Sequence, residues 1–257
     1  ASGTASRPTT GQRGTSRPTT GQRARSGTAS RPSTGRTLVF VGPTLSADEV
    51  RERLPDADVR PPAAVGDILR AAHESGVRRI ALIDGYFERM AAVWHKEILI
   101  AIERGIEVWG AASMGALRAA ELEAFGMRGV GTIYGWFKQG VITADDEVAV
   151  AHMPAEYRYK AVSDALVNIR YTLAVAADEG KLAPKVAAEI LAKAKATFYR
   201  ERVWSKLCST KLALVDLKAD DARRLLAKLR GAGKQPRRKI RVPRTWALRQ
   251  LERLMLG

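Results

Sequence analysis

The stretch Gly110-Ala-Ala-Ser-Met-Gly-Ala-Leu-Arg118 carries the sharpest chemical signal in the chain. A strand ends, a turn of small residues follows, and Ser113 stands where a helix begins. The pattern resembles a nucleophile elbow, Gly-x-Ser-x-Gly, with Ala111 in place of the first glycine. Small neighbours let such a turn be tight, and the N–H groups of Met114 and Gly115 at the helix start can face an oxyanion. The same serine also fits a plain helix N-cap, which involves no catalysis.

A serine nucleophile needs a base. His95 lies ~100° around its helix from Trp94, at the edge of an apolar face, where it can look toward a strand-end site. Glu97 falls ~160° from His95 on that helix and cannot orient it. Asp84, at a strand end, is therefore the expected acidic partner. His152, close to Asp145-Asp146-Glu147, is the competing base, and each histidine also fits a hydrogen-bonded edge position.

Arg118 and Glu121 are helix neighbours: Arg118 either anchors a substrate carboxylate or pairs with Glu121 on a solvated face. The acidic run at 145–147 reads as a helix start rather than a metal site. Asn168 and Arg170 are polar positions on an otherwise apolar helix and suggest a lining role. No Gly-rich phosphate loop with a lysine is present, which disfavours an ATPase. The single cysteine, Cys208, lies in a basic helical tail away from every strand end, so persulfide chemistry has no pocket thiol. With one cysteine and three histidines, no metal site is expected.

The elements that position these residues are legible from hydrophobic patterning. Thr37–Gly42, Arg79–Asp84 and Ile106–Gly110 are short apolar runs that read as buried strands. Helices are expected from Ser46 to Leu54, Gly66 to Ser75, Glu88 to Arg104 and Ser113 to about Phe125, the third burying Met90, Trp94 and Ile98. Strands alternating with helices imply an α/β fold, a parallel sheet of about four strands covered by helices. Active sites in such sheets lie beyond the strand carboxyl ends, here Gly42-Pro43, Asp84-Gly85 and Gly110 to Ser113. After Gly140 the pattern is helical, over about 144–152, 159–179, 183–207, 219–231 and 243–256.

The 257 residues carry a formal net charge of +16, but its distribution argues against a simple nucleic-acid binder. Residues 1–36 hold +7, residues 37–180 hold −6, and residues 181–257 hold +15. Three domains or regions follow: a basic repeat tail (1–36), an α/β core (37–180) and a basic helical region (181–257). In the tail, Ser6–Arg13 recurs unchanged at Ser16–Arg23. With no aromatic or branched apolar residue, it predicts disorder, as a basic tether, a spacer or a misassigned start. No apolar run is long enough for a membrane span and no signal segment is evident, so a cytoplasmic location is expected.

The run from about Val39 to Thr172 resembles the TfuA-like family. The resemblance is carried by Phe40-Val-Gly-Pro43, Gly66-Asp67-Ile68, Ile83–Phe87, Trp94–Ile98, Gly110–Glu121, Phe125-Gly-Met127, Gly129–Gly131, Asp145–Val148, His152 and Asn168–Arg170. It implies a role beside YcaO proteins in peptide backbone thioamidation, in ribosomally synthesised natural products and in a methanogenesis enzyme. There the YcaO partner performs the chemistry with ATP and Mg, and no cofactor is expected on this chain. The TfuA-like protein would recruit or release sulfur, for example from a thiocarboxylated ubiquitin-like carrier, for a precursor peptide or protein substrate. The expected catalytic set is Ser113, His95 and Asp84. The expected substrate-binding set is Gly85, Met114, Gly115, Arg118, Glu121, Asp146, His152 and Arg170. The alternative is a non-catalytic adaptor that docks YcaO, carrier and peptide.

Overall fold

Alternate residues of each apolar run face opposite sides of a pleated sheet, and this alternation builds two cores. The computed structural model describes residues 35–257 apart from 88, 89, 234 and 237. Residues 1–34, with nearly all of the expected repeat tail, lie outside the described residues. The strands are β1 (Arg36–Phe40), β2 (Ala57–Arg60), β3 (Val77–Leu82), β4 (Glu107–Ala111) and β5 (Arg128–Val130). They form one parallel sheet in the order β2-β1-β3-β4-β5. The order reverses between β1 and β3, which places a topological switch point beyond Phe40 and Leu82.

The helices are α1 (Ala47–Arg53), α2 (Asp67–His73), α3 (His95–Glu103), α4 (Met114–Leu122), α5 (Thr132–Lys138) and α6 (Leu166–Asp178). After them come α7 (Pro184–Ala196), α8 (Trp204–Leu207), α9 (Leu217–Gly231) and α10 (Trp246–Leu256). Leu38, Phe40, Ile80, Leu82 and Val108 pack with Ile68, Ile98 and Met114 on one face. Val39, Val41, Ala81, Ile83 and Trp109 pack with Val50 and with Leu225, Leu226 and Leu229 of α9 on the other. The α/β architecture is the expected one, with five strands. The two strands that patterning did not locate, β2 and β5, are short edge strands of half-buried residues, so neither contains a continuous apolar run.

Residues 35–257 pack as one compact unit, with α9 from the basic C-terminal segment covering the sheet. Four expected helices change shape. Of the expected 144–152 helix only the 3-10 turn Asp145–Glu147 forms, and the expected 159–179 helix begins at Leu166, because His152 and Ala161 pair across a hairpin instead. The expected 88–104 helix starts only at His95, because the backbone before it is committed elsewhere: Ala91 O accepts from Val65 N at 2.8 Å. Met90 and Trp94, expected on its buried face, are 50% and 41% exposed. The expected 183–207 helix breaks after Ala196, where Arg202 turns inward to the carbonyls of Ala194 and Thr197, both at 3.0 Å.

Candidate functional site

Three strand ends build the site. After β4 the chain reverses through a three-residue turn in which Ser113 N–H donates to Ala111 O at 2.8 Å. The central residue, Ala112, is fully buried with φ +65°, the rare and strained form of a γ-turn. A tight turn of small residues thus joins the strand to the helix, its left-handed residue one position before Ser113. Close packing holds it there: a Cβ on Gly115 would lie 1.7 Å from Leu82 O, and one on Gly110 would lie 2.0 Å from Gly115 O.

Ser113 is 3% exposed and occupies the N-cap position of α4, yet its side chain makes no capping hydrogen bond. Its Oγ instead faces Val148 O at 3.5 Å. The same carbonyl accepts from Lys218 Nζ at 2.8 Å. These two distances together bound the separation of hydroxyl and amine, which sit around one oxygen.

Lys218 is buried near the start of α9. Desolvation pushes its pKa below the ordinary lysine range, against the pull of Asp84 and Asp216. Its backbone N–H donates to Asn168 Oδ1 at 3.1 Å, and Asn168 Nδ2 donates to Asp216 Oδ1 at 3.0 Å. Asn168 thus positions the first turn of α9, and from α6 it also lines a cavity with Lys218.

Val148 is held by two ion pairs on the turn that precedes it. Arg170 Nη2 meets the buried Glu147 Oε1 at 2.7 Å. The fully buried Arg202 pairs with Asp146 Oδ2 and donates to Asp146 O at 2.8 Å. Asp146 and Arg170, expected to bind substrate, both take part in these bracing pairs.

Asp84 is 1% exposed, and its carboxylate is occupied by the loop after β1. Oδ2 accepts from Gly42 N at 2.8 Å and Thr44 N at 3.0 Å, and Oδ1 accepts from Thr44 Oγ1 at 2.6 Å. It orders that loop and does not pair with a histidine. Ser113, Asp84, Gly85, Tyr86 and His152 line one cavity of about 40 Å³. A neighbouring cavity of about 240 Å³ is lined by Lys218, Asp216 and Asn168, with Pro43 and Val150 on both.

His152 contacts Met153 O through Nδ1 at 2.8 Å. A carbonyl only accepts, so neutral His152 carries its proton on Nδ1 and presents Nε2 as an acceptor. His95 is placed elsewhere. Its Nε2 meets Glu121 Oε2 at 2.8 Å, and Arg118 Nη1 donates to the same oxygen at 2.7 Å. This trio, with His95 and Glu121 partly exposed and Arg118 largely buried, lies between α3 and α4, and His95 is not among the residues lining the Ser113 cavity. The reason is local: α3 begins at His95, so the ring sits at the helix tip beside α4. Arg118 is committed to Glu121 and to Val93 O at 3.2 Å. Gly115 N–H donates to Ile83 O at 3.2 Å, which removes it from an oxyanion site, and Met114 packs its side chain into the core at 1% exposure.

Residues 84–203 match the family model described as TfuA-like protein. This segment belongs to the TfuA-like family. The expected resemblance began further upstream, at Val39, and the matched segment extends past Thr172 to residue 203. No curated protein matches the chain. Lys218 lies beyond the matched TfuA-like segment, and sequence reasoning missed it because a lysine in a basic, Ala- and Leu-rich helix looks like one more solvated charge. The available signal was Leu217-Lys218-Ala219, a lysine between positions that the helical period buries. Among the described residues, no group of three His, Cys, Asp or Glu side chains is arranged to hold a metal. No helix among them is long and apolar enough to cross a membrane.

Proposed function

We propose that this TfuA-like protein works beside a YcaO enzyme in peptide thioamidation and releases sulfur from a thiocarboxylated carrier, with Ser113 as nucleophile and Lys218 as base. The observation that carries the reading is the convergence of Ser113 Oγ and Lys218 Nζ on Val148 O. Burial favours the neutral amine, and a neutral lysine is a competent partner for a serine hydroxyl. Lys218 takes the Ser113 proton as Oγ attacks the acyl carbon of the thiocarboxylate. The C–S bond breaks, the sulfur leaves as sulfide with the proton returned by Lys218, and water then cleaves the serine ester. The Met114 N–H, at the first position of α4, supplies an oxyanion donor. ATP and Mg belong to the YcaO partner, which activates the peptide amide.

The test follows sulfide release from the thiocarboxylated carrier of the same cell, with wild type, Ser113→Ala, Lys218→Met and His95→Ala. Release should vanish in the first two variants and persist in the third. No release by wild type with YcaO present would sink the reading. A second reading, a non-catalytic adaptor, is favoured by the small volume beside Ser113; it requires that Ser113→Ala leave thioamidation intact.

A further inference from the structure

We propose that the hairpin from His152 to Ala161 is a gate over the Ser113 cavity, with Tyr159 as the residue that closes it. The proposal rests on the reading of Ser113 as the reacting group. At about 40 Å³, the cavity has room for a few water molecules at most, so an acyl group reaches Ser113 only if a wall moves.

The walls differ in how firmly they are tied. Asp84 is fixed by three hydrogen bonds to the loop after β1. The Ser113 turn is locked by the contact of Gly115 with Leu82. Phe87 and the Tyr199-Arg200 turn form further walls, and the wall proposed to move is the hairpin that carries His152. Its arms are joined by a bridge between His152 and Ala161, with Met153 N donating to Lys160 O at 2.9 Å and Val162 N to Ala151 O at 2.8 Å. Its tip, residues 154–158, is exposed.

The tip is also strained. Lys160 N donates to Tyr157 O at 3.1 Å, and the two residues between them, Arg158 and Tyr159, have φ +52° and +56°. That is the backbone of a type I′ turn, whose two left-handed positions ordinarily hold Asn-Gly. An arginine and a tyrosine there persist only because contacts elsewhere hold them. Arg158 pairs with Asp48 of α1 at 3.6 Å, whereas the ring contacts of Tyr159 face the site. The Tyr159 ring meets His152 edge-on at 5.8 Å, Tyr86 lies 5.8 Å from His152, and the Tyr86 and Tyr159 hydroxyls are neighbours. Tyr86 and His152 both line the Ser113 cavity. Release of Tyr159 would relax the turn and free both cavity walls together, so strain and aromatic contact oppose each other across one residue.

Access can be measured without catalysis. With Ser113→Cys in a Cys208→Ser background, alkylation by a maleimide reads the exposure of position 113. Tyr159→Ala should speed labelling at least tenfold. Tyr159→Phe, which keeps the ring and removes only the hydroxyl beside Tyr86, should speed it about threefold and serves if the alanine variant does not fold. Cys208 in the chain that keeps Ser113 is the control for general loosening, and its labelling should not change. Rates at position 113 within twofold of each other, or equal acceleration at Cys208, would overturn the gate. Unchanged sulfide chemistry would not affect this result, since labelling reports access alone.

Discussion

Lys218 Nζ and Ser113 Oγ share one acceptor, the carbonyl of Val148, at 2.8 and 3.5 Å. One group arrives on α9 and the other on the turn after β4, and neither is exposed. The turn that presents Val148 is braced by Arg170 and Arg202 through Glu147 and Asp146. The pair thus rests on a fixed oxygen, not on a flexible loop.

Ser113→Ala and Lys218→Met should each lower sulfide release about 100-fold or more, the scale of a lost nucleophile or general base. Lys218→Met should leave the melting temperature unchanged or raise it, because an apolar group of similar size no longer has to be desolvated. A Lys218→Met protein that is active at the wild-type rate would remove the lysine from the chemistry.

Activity should fall on acidification through the folded-state pKa of Lys218, since the protonated amine is no base. Burial lowers that pKa, so the folded state resists a proton that the unfolded chain accepts. Between the folded and unfolded values the unfolded state binds more protons, and stability rises with pH across that window. A pH series of urea melts on wild type and Lys218→Met checks the sign: the variant should lose this component.

Two small-residue substitutions at the Ser113 turn should have opposite signs. Ala112→Gly relieves a left-handed alanine and should stabilise by about 0.5–1 kcal/mol. Gly115→Ala forces a methyl against Leu82 O and should cost about 3 kcal/mol or more. Denaturant unfolding of both variants reads the difference, and a neutral Gly115→Ala would refute the close approach.

Glu97 is fully buried and accepts from Gly66 N at 2.7 Å, Leu69 N at 3.3 Å and Trp94 N at 3.0 Å. Desolvation outweighs these donors and pushes its pKa up to about 7. The folded state then holds a proton that the unfolded chain releases near its ordinary value. Stability from this group is complete at low pH and is lost as pH rises to about 7. Glu97→Gln should flatten that slope. It should also cost about 1–3 kcal/mol at pH 5, because the amide turns an N–H toward backbone donors.

What was legible in the sequence follows from local physics. The inner strands β1, β3 and β4 are buried on both faces and read as apolar runs, whereas β2 and β5 are half-exposed edges with no such run. Ser113 was legible because strand, turn and helix start are all encoded within a few residues. His95 was misplaced for want of one contact: Glu97 bonds Trp94 N and the loop at Gly66, which sets the helix start and the direction of the ring.

By itself the sequence determined the α/β architecture, the TfuA-like segment and the serine at the strand-to-helix junction, since each depends on neighbours within one or two turns of chain. Only the tertiary structure decided which groups Ser113 meets. The return of α9 onto the sheet buries Lys218 beside Val148, and the 152–161 hairpin brings His152 and Tyr159 over the rim. Such meetings depend on how distant apolar faces pack, and no local spacing encodes them.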